Sequence, residues 1–173
     1  MGSGEHSVVL LVQPGVVAVD LAVPMQVFGP WPHYFGAEQP GLANPYTVML
    51  AGAEPDPVIA GSLLVADIQP LGRLAEADTI VVPGVQAPLE PVPEPVRVAL
   101  AEAAARGTRI VSICVGAFVL AAAGVLDGRR ATTHWHWAEE LRRRYPTVNV
   151  QEQHLFVDDG QILTSAGLLA GAD

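Results

Sequence analysis

The chain contains a single cysteine, Cys114, within the stretch "RIVSICVGAFVLAAAG" from Arg109 to Gly124. A β-branched apolar run leads into it and an alanine-rich stretch follows, so the thiol falls at a turn from a strand into a helix. Free N–H groups at the start of a helix favour a thiolate, and Gly116 lets the turn close tightly, as at other strand-to-helix elbows. Cys114 is therefore a candidate nucleophile, expected to alkylate faster at neutral pH than a free thiol. Two other readings stay open: a side chain that lines a ligand pocket without reacting, and a buried apolar residue.

Chemistry at sulfur needs a proton carrier and a seat for developing negative charge. Asp20 and His134, the latter in "ATTHW", are the candidate proton carriers. Gly84, at the end of "TIVVPG", and Val115 offer backbone N–H groups as an oxyanion hole. Gly84, Val85, Val115 and Gly116 are accordingly expected to line the ligand pocket. The plainer readings are a helix cap for Asp20 and a packed, hydrogen-bonded ring for His134. His136 follows His134 by two residues, but without a spaced third ligand no metal site is expected, nor any cofactor. Asp158 and Asp159 read as turn residues, and "LRRRY" as a solvated helix face.

These residues need a scaffold that gathers them. "SVVLLV", "YTVMLAG", "TIVVPG" and "TRIVSIC" are short, rich in valine, leucine and isoleucine, and end in small residues or glycine, as strands buried on both faces do. In "EPVRVALAEAAARG", Val96, Ala99, Leu100, Ala103 and Ala104 form one apolar stripe with Gly107 as the stop, an amphipathic crossover helix. Trp137, Leu141 and Tyr145 share a face of a later helix, with Glu139–Arg143 and Glu140–Arg144 as i,i+4 pairs on its wet side. "HLFVDDGQILTSAG" predicts a hairpin, "SLLVAD" a further strand, and "SAGLLAGAD" the opening of another helix. Pro24 cannot donate a helical hydrogen bond, so the helix after the first strand is expected to begin just before it, with Asp20 at its mouth. Alternating strands and helices predict an α/β fold: a mostly parallel sheet covered on both faces, with ligands collecting at the carboxyl ends of the strands. The proline-dense "QAPLEPVPEPV" reads as a stiff surface loop.

The chain has 173 residues, half of them hydrophobic, and a formal net charge of −9. That length suits one core, and an acidic surface repels phosphate backbones, so DNA binding by this segment itself is not expected. One cysteine permits no internal disulfide, in keeping with a reducing cytoplasm. Residues 1–6 read as a tag or disordered start, with the domain over residues 7–173. No secretory signal or membrane span is expected, because Gln13, Pro14, Gly15 and Asp20 interrupt the longest apolar stretch.

"VDLAVPMQVFG", "VVPG", "SICVGAFVLAAAGVLDGRRATTHW" and "LFVDDGQILTSAG" together resemble the DJ-1/PfpI group of class I glutaminase-like domains, from about Val8 to Gly171. The resemblance implies a flavodoxin-like three-layer sandwich with a nucleophile-elbow cysteine. "LDGRRATTHW" and "VDDGQILTSAG" look most like the amino-terminal domains of AraC-type transcription regulators, which carry a helix-turn-helix module at their carboxyl end. That implies a cytoplasmic, dimeric, ligand-sensing domain that binds an unknown small molecule and reaches DNA only through a domain outside this chain. The isonitrile hydratases are similar in the acid matching Asp20, the cysteine matching Cys114 and the "RATTHW" stretch. They imply the alternative, an isocyanide hydratase or amidase-like enzyme in which Cys114 attacks carbon while Asp20 and His134 handle protons. Val115 stands where those hydratases usually carry threonine, which removes a hydroxyl beside the thiol, and Val85 follows "PG" where protease-like members of the group often carry a second glycine.

Overall fold

The computed structural model describes residues 5–29, 43–54, 58–59 and 63–167. In chain order its elements begin with β1 (His6–Val12), α1 (Ala18–Phe28), β2 (Tyr46–Gly52), β3 (Val58–Ile59), β4 (Leu63–Leu64), β5 (Gln69–Pro70) and β6 (Thr79–Val82). There follow α2 (Glu94–Ala105), β7 (Arg109–Ile113), α3 (Gly116–Ala122), β8 (Arg130–Ala131), α4 (Ala138–Arg144), β9 (Asn149–Val150), β10 (Phe156–Asp159) and β11 (Ile162–Ser165). Of residues 1–6, expected as a tag or disordered start, His6 instead opens β1; residues 1–4 and the helix expected beyond Gly167 lie outside the described residues.

Seven strands form one sheet in the order β10-β11-β7-β6-β1-β2-β5, parallel throughout except for the β10–β11 pair. The four valine-rich runs are its interior strands, as their composition predicts. The hairpin does not stand apart: β11 runs parallel to β7, with Ile162 opposite Ile110, so β10 becomes the antiparallel edge. Of the strand expected in "SLLVAD", only Leu63–Leu64 is extended, paired with β3 outside the main sheet.

The period of two along β1 assigns the helices to opposite faces. Val9 and Leu11 pack with Val96 and Leu100 of α2, Phe118 of α3 and Leu141 of α4. Val8, Leu10 and Val12 pack with Leu21 of α1. The result is the predicted three-layer α/β sandwich. Trp137 and Tyr145 meet the ring of Phe118 edge-on, at centroid distances of 6.1 and 6.3 Å, which anchors α4 to α3. Among the described residues no helix is long and apolar enough to cross a membrane.

Two local expectations are corrected. Helix α1 starts at Ala18, well ahead of Pro24, so Asp20 lies inside its first turn. The Val17 N–H donates to the Gly84 carbonyl at 2.8 Å and fixes the chain just ahead of the helix. Pro24, buried within α1, then forfeits only the bond its N–H would have made to the Asp20 carbonyl. On α4, Arg143 and Arg144 both pair with Glu140, at 2.5 and 3.0 Å, and the expected Glu139–Arg143 pair does not form. The i,i+3 spacing reaches Glu140 as readily as i,i+4 reaches Glu139.

Candidate functional site

Because the interior strands are parallel, their carboxyl ends deliver side chains to one rim. Asp20 comes from α1 after β1, Gly84 lies two residues past β6, Cys114 one past β7 and Gly167 two past β11. Cys114 adopts φ +56°, a left-handed conformation that costs a side-chain-bearing residue about 1–2 kcal/mol. The surroundings hold it there. Its N–H donates to the Ser165 carbonyl at 3.0 Å, and its carbonyl accepts from Thr133 Oγ1 at 2.9 Å. Gly116 permits the turn, since a Cβ there would overlap the Val82 carbonyl oxygen.

The buried hydroxyls of "ATTHW" carry His134 to the thiol. Thr132 N–H donates to Thr164 Oγ1 at 2.8 Å, and Thr132 Oγ1 donates to the His154 carbonyl at 3.0 Å. A Cβ added at Gly167 would lie 3.4 Å from Cys114 Sγ and 3.5 Å from His134 Cδ2, so sulfur and imidazole converge on that glycine. His134 Nδ1 accepts the His136 N–H at 3.3 Å, which leaves the proton of the neutral ring on Nε2. In that tautomer His134 offers a donor, not a base.

Asp20 faces Cys114 across Gly84, where an added Cβ would meet Asp20 Oδ2 at 2.5 Å and Cys114 Cβ at 3.3 Å. The acid is 1% exposed. Its Oδ2 accepts the Gly84 N–H at 3.1 Å, and its Oδ1 is buried with no partner. Burial pushes the Asp20 carboxyl above its ordinary range, against the Gly84 N–H and the charge His134 carries when its ring is protonated, which both favour the carboxylate. Burial also pushes the Cys114 thiol from 9.0 up to about 11; the neighbouring Asp20 charge adds to this, and the Val115 N–H facing the sulfur only partly offsets it.

The expected low-pKa thiolate is thus corrected. Only one helix-start N–H reaches the sulfur, and desolvation with an adjacent acid outweighs it. Cys114 is nevertheless half-buried, so it is not sealed in the core.

The structure gathers Asp20, Gly84, Cys114, Val115, Gly116 and His134 into one corner. The Gly84 N–H, expected as an oxyanion donor, is committed to Asp20. Val85 sits at the margin, bridged to Val16 and lining a separate hollow. Gly167, Thr133 and Ser165 also belong to the corner, and sequence reasoning did not single them out. The small-residue run "TSAG", closing a strand much as "VVPG" does, was the signal for Gly167. Among the described residues no three His, Cys, Asp or Glu side chains cluster as metal ligands.

Comparison with known proteins bears on this geometry. The DJ-1/PfpI family profile matches residues 6–172. A Streptomyces lividans protein described as an uncharacterized protein in the cpoL 5′ region is 40% identical over 149 residues, 85% of this chain and 100% of that one. The HTH-type transcriptional regulator CdhR of Pseudomonas aeruginosa is 46% identical over 67 residues, 39% of this chain and 20% of the regulator. The isonitrile hydratase of Pseudomonas putida is 41% identical over 71 residues, 40% of this chain and 29% of the hydratase. Both of these matches therefore span less than a third of the longer protein. Among solved structures, an AraC family transcriptional regulator from Pseudomonas putida superposes with a TM-score of 0.76 at 20% identity, over 96% of this chain and 86% of that one. At that identity the likeness shows the fold.

Proposed function

This chain belongs to the DJ-1/PfpI family, and on that premise we propose that it is a small-molecule-sensing module of the kind AraC-type regulators carry, with its ligand seat at Asp20, Gly84, Cys114 and His134. The carrying observation is the packing of the buried Asp20 carboxyl against Cys114 across Gly84, since burial and the adjacent acid push the thiol up to about 11. At neutral pH such a thiol stays protonated and weakly nucleophilic, which suits lining a pocket better than attacking a substrate. The His134 tautomer agrees, because a ring whose Nδ1 is occupied by the His136 N–H does not withdraw the thiol proton without breaking that bond. Val115 points the same way, since its isopropyl group adds no proton-transfer partner. DNA would be reached through a helix-turn-helix domain outside these residues, in a protein that pairs as a dimer.

A second reading rests on Asp20 Oδ1, buried, unpartnered and held toward the protonated form beside the sulfur. An acid so placed would hand a proton to carbon or nitrogen in a hydratase that adds water to an isocyanide to give an N-substituted formamide. The two readings separate on one assay: the purified chain and Cys114→Ala are incubated with cyclohexyl isocyanide, and formamide is followed by NMR. The sensing reading expects no difference between them. Turnover by the parent that disappears in the variant overturns it in favour of the hydratase.

A further inference from the structure

We propose that the outer face of α1, together with β4, is the surface on which a second copy of this chain seats. The proposal rests on the regulator reading, which supplies the dimer, and gives that dimer its surface. Helix α1 holds a single charged residue, Asp20, and that side chain is turned inward. Its solvent side presents Ala22, Met25 and Gln26. The other helices are built differently: α2 exposes Arg97 and Glu102, and α4 exposes Glu139, Arg142 and Arg143. A helix that is apolar all round its circumference belongs in an interior. Among the described residues α1 is covered only on the side that packs Leu21 against Val8, Leu10 and Val12 of β1.

The neighbouring element has the same deficit. Leu63 and Leu64 of β4 are 53% and 60% exposed, and their only strand partner is β3, outside the main sheet. Two strands paired with each other alone are marginally stable in water. Between β4 and α1 lies a hollow of about 280 Å³, walled by Leu21, Ala22, Met25, Leu50, Leu63 and Leu64 and lined by no charged residue. Contiguous exposed apolar surface of this kind marks an interaction site.

Charge selects the occupant. At a formal net charge of −9, two copies repel over most of their surfaces. A two-fold pair also sets each patch against itself, so an acid in the patch would face its own counterpart. A patch without acids avoids that conflict, whereas a basic partner would be drawn to the acidic surface elsewhere. The shape is self-complementary too: each copy offers the leucine ridge of β4 and, beside it, a hollow to receive the partner's ridge. The helix brought to the two-fold axis is the one that carries Asp20 on its inner side, so pairing braces the element that holds the acid beside Cys114.

Sedimentation velocity of the full chain across the micromolar range tests the surface. A dimer is expected, and Met25→Glu and Leu64→Glu should each weaken it about thirtyfold or more. Leu155→Glu and Val98→Glu, at exposed apolar positions on other elements, should leave it intact. Hydrogen exchange gives a readout that needs no substitution: amides of α1 and of residues 63–66 should slow as the parent is concentrated. A dimer that survives both groove substitutions, or one that Leu155→Glu weakens in their place, overturns the surface and leaves the regulator reading standing. A chain that stays monomeric overturns the surface and the dimer of that reading together. Uptake of a hydrophobic dye in the groove of such a monomer would assign the groove another occupant.

Discussion

Two turns on the same rim carry the chain from a strand into a helix, and they place their left-handed residue differently. Between β1 and α1 the link runs over residues 13–17, and the positive φ, +70°, falls on Gly15. Between β7 and α3 only residues 114–115 are available, and the positive φ, +56°, falls on Cys114. The longer link can use glycine and avoid strain. The shorter one must lift a side chain over the sheet edge, and neighbouring hydrogen bonds from Thr133 and to Ser165 hold it there. Among the described residues the other non-glycine residue with positive φ is Asp67, at +62°, and aspartate tolerates that conformation more readily than most side chains.

The comparison can be broken most severely at Gly116. Gly116→Ala forces a methyl into the Val82 carbonyl oxygen, with no flexible neighbour to yield, and should cost more than about 3 kcal/mol in chemical denaturation. At the glycine-bearing turn, Gly15→Ala meets only the Gln86 Cβ, at an ordinary 3.8 Å, so its loss should be conformational, about 1–2 kcal/mol. Cys114→Gly should exceed Cys114→Ala in stability by about 1 kcal/mol, because glycine alone relieves the left-handed backbone; equal midpoints would mean that the elbow is unstrained.

A smaller effect is expected in the pH dependence. The folded thiol is raised from 9.0 to about 11, so its contribution is intact below pH 9.0 and is lost as pH climbs toward 11. Thermal melts should show the parent losing stability over that window and Cys114→Ala losing less. Asp20 is also raised above its ordinary 3.8, so its contribution is full below that pH and lost as pH rises through the folded value. Asp20→Asn should flatten that acid-side decline while moving the thiolate absorbance midpoint of Cys114 downward. The smallest effect is expected far from either turn. Arg143→Ala should return Glu140 from about 2 toward the ordinary carboxylate range by NMR titration, leaving the melting temperature unchanged, as for most exposed ion pairs.

The scaffold was legible where hydrophobic period and composition act locally: β1, β2, β6 and β7 from their valine-rich runs, α2 from its apolar stripe. The convergence of Cys114 and Asp20 was also foreseeable, because parallel strands send their carboxyl ends to one rim; His134 arrives from the loop after β8, outside that sheet. What sequence concealed depends on contacts between distant segments. The start of α1 is set by a Val17–Gly84 backbone bond, which outweighs the local signal of Pro24. The acidity of Cys114 is set by burial and by Asp20, which no helix-start argument includes. β3 and β5 are two-residue pairings with no periodicity to detect, β4 keeps two residues of the strand expected in "SLLVAD", and Gly167 acquires meaning only once β11 lies beside β7.

The fastening of the two rim loops, Val17 N–H to the Gly84 carbonyl and Gln86 N–H to the Gly15 carbonyl, is made of peptide groups alone. Among natural substitutions only proline, at position 17 or 86, deletes a donor from it. Lineages can therefore change the side chains around these two loops while the acid and the sulfur keep their separation.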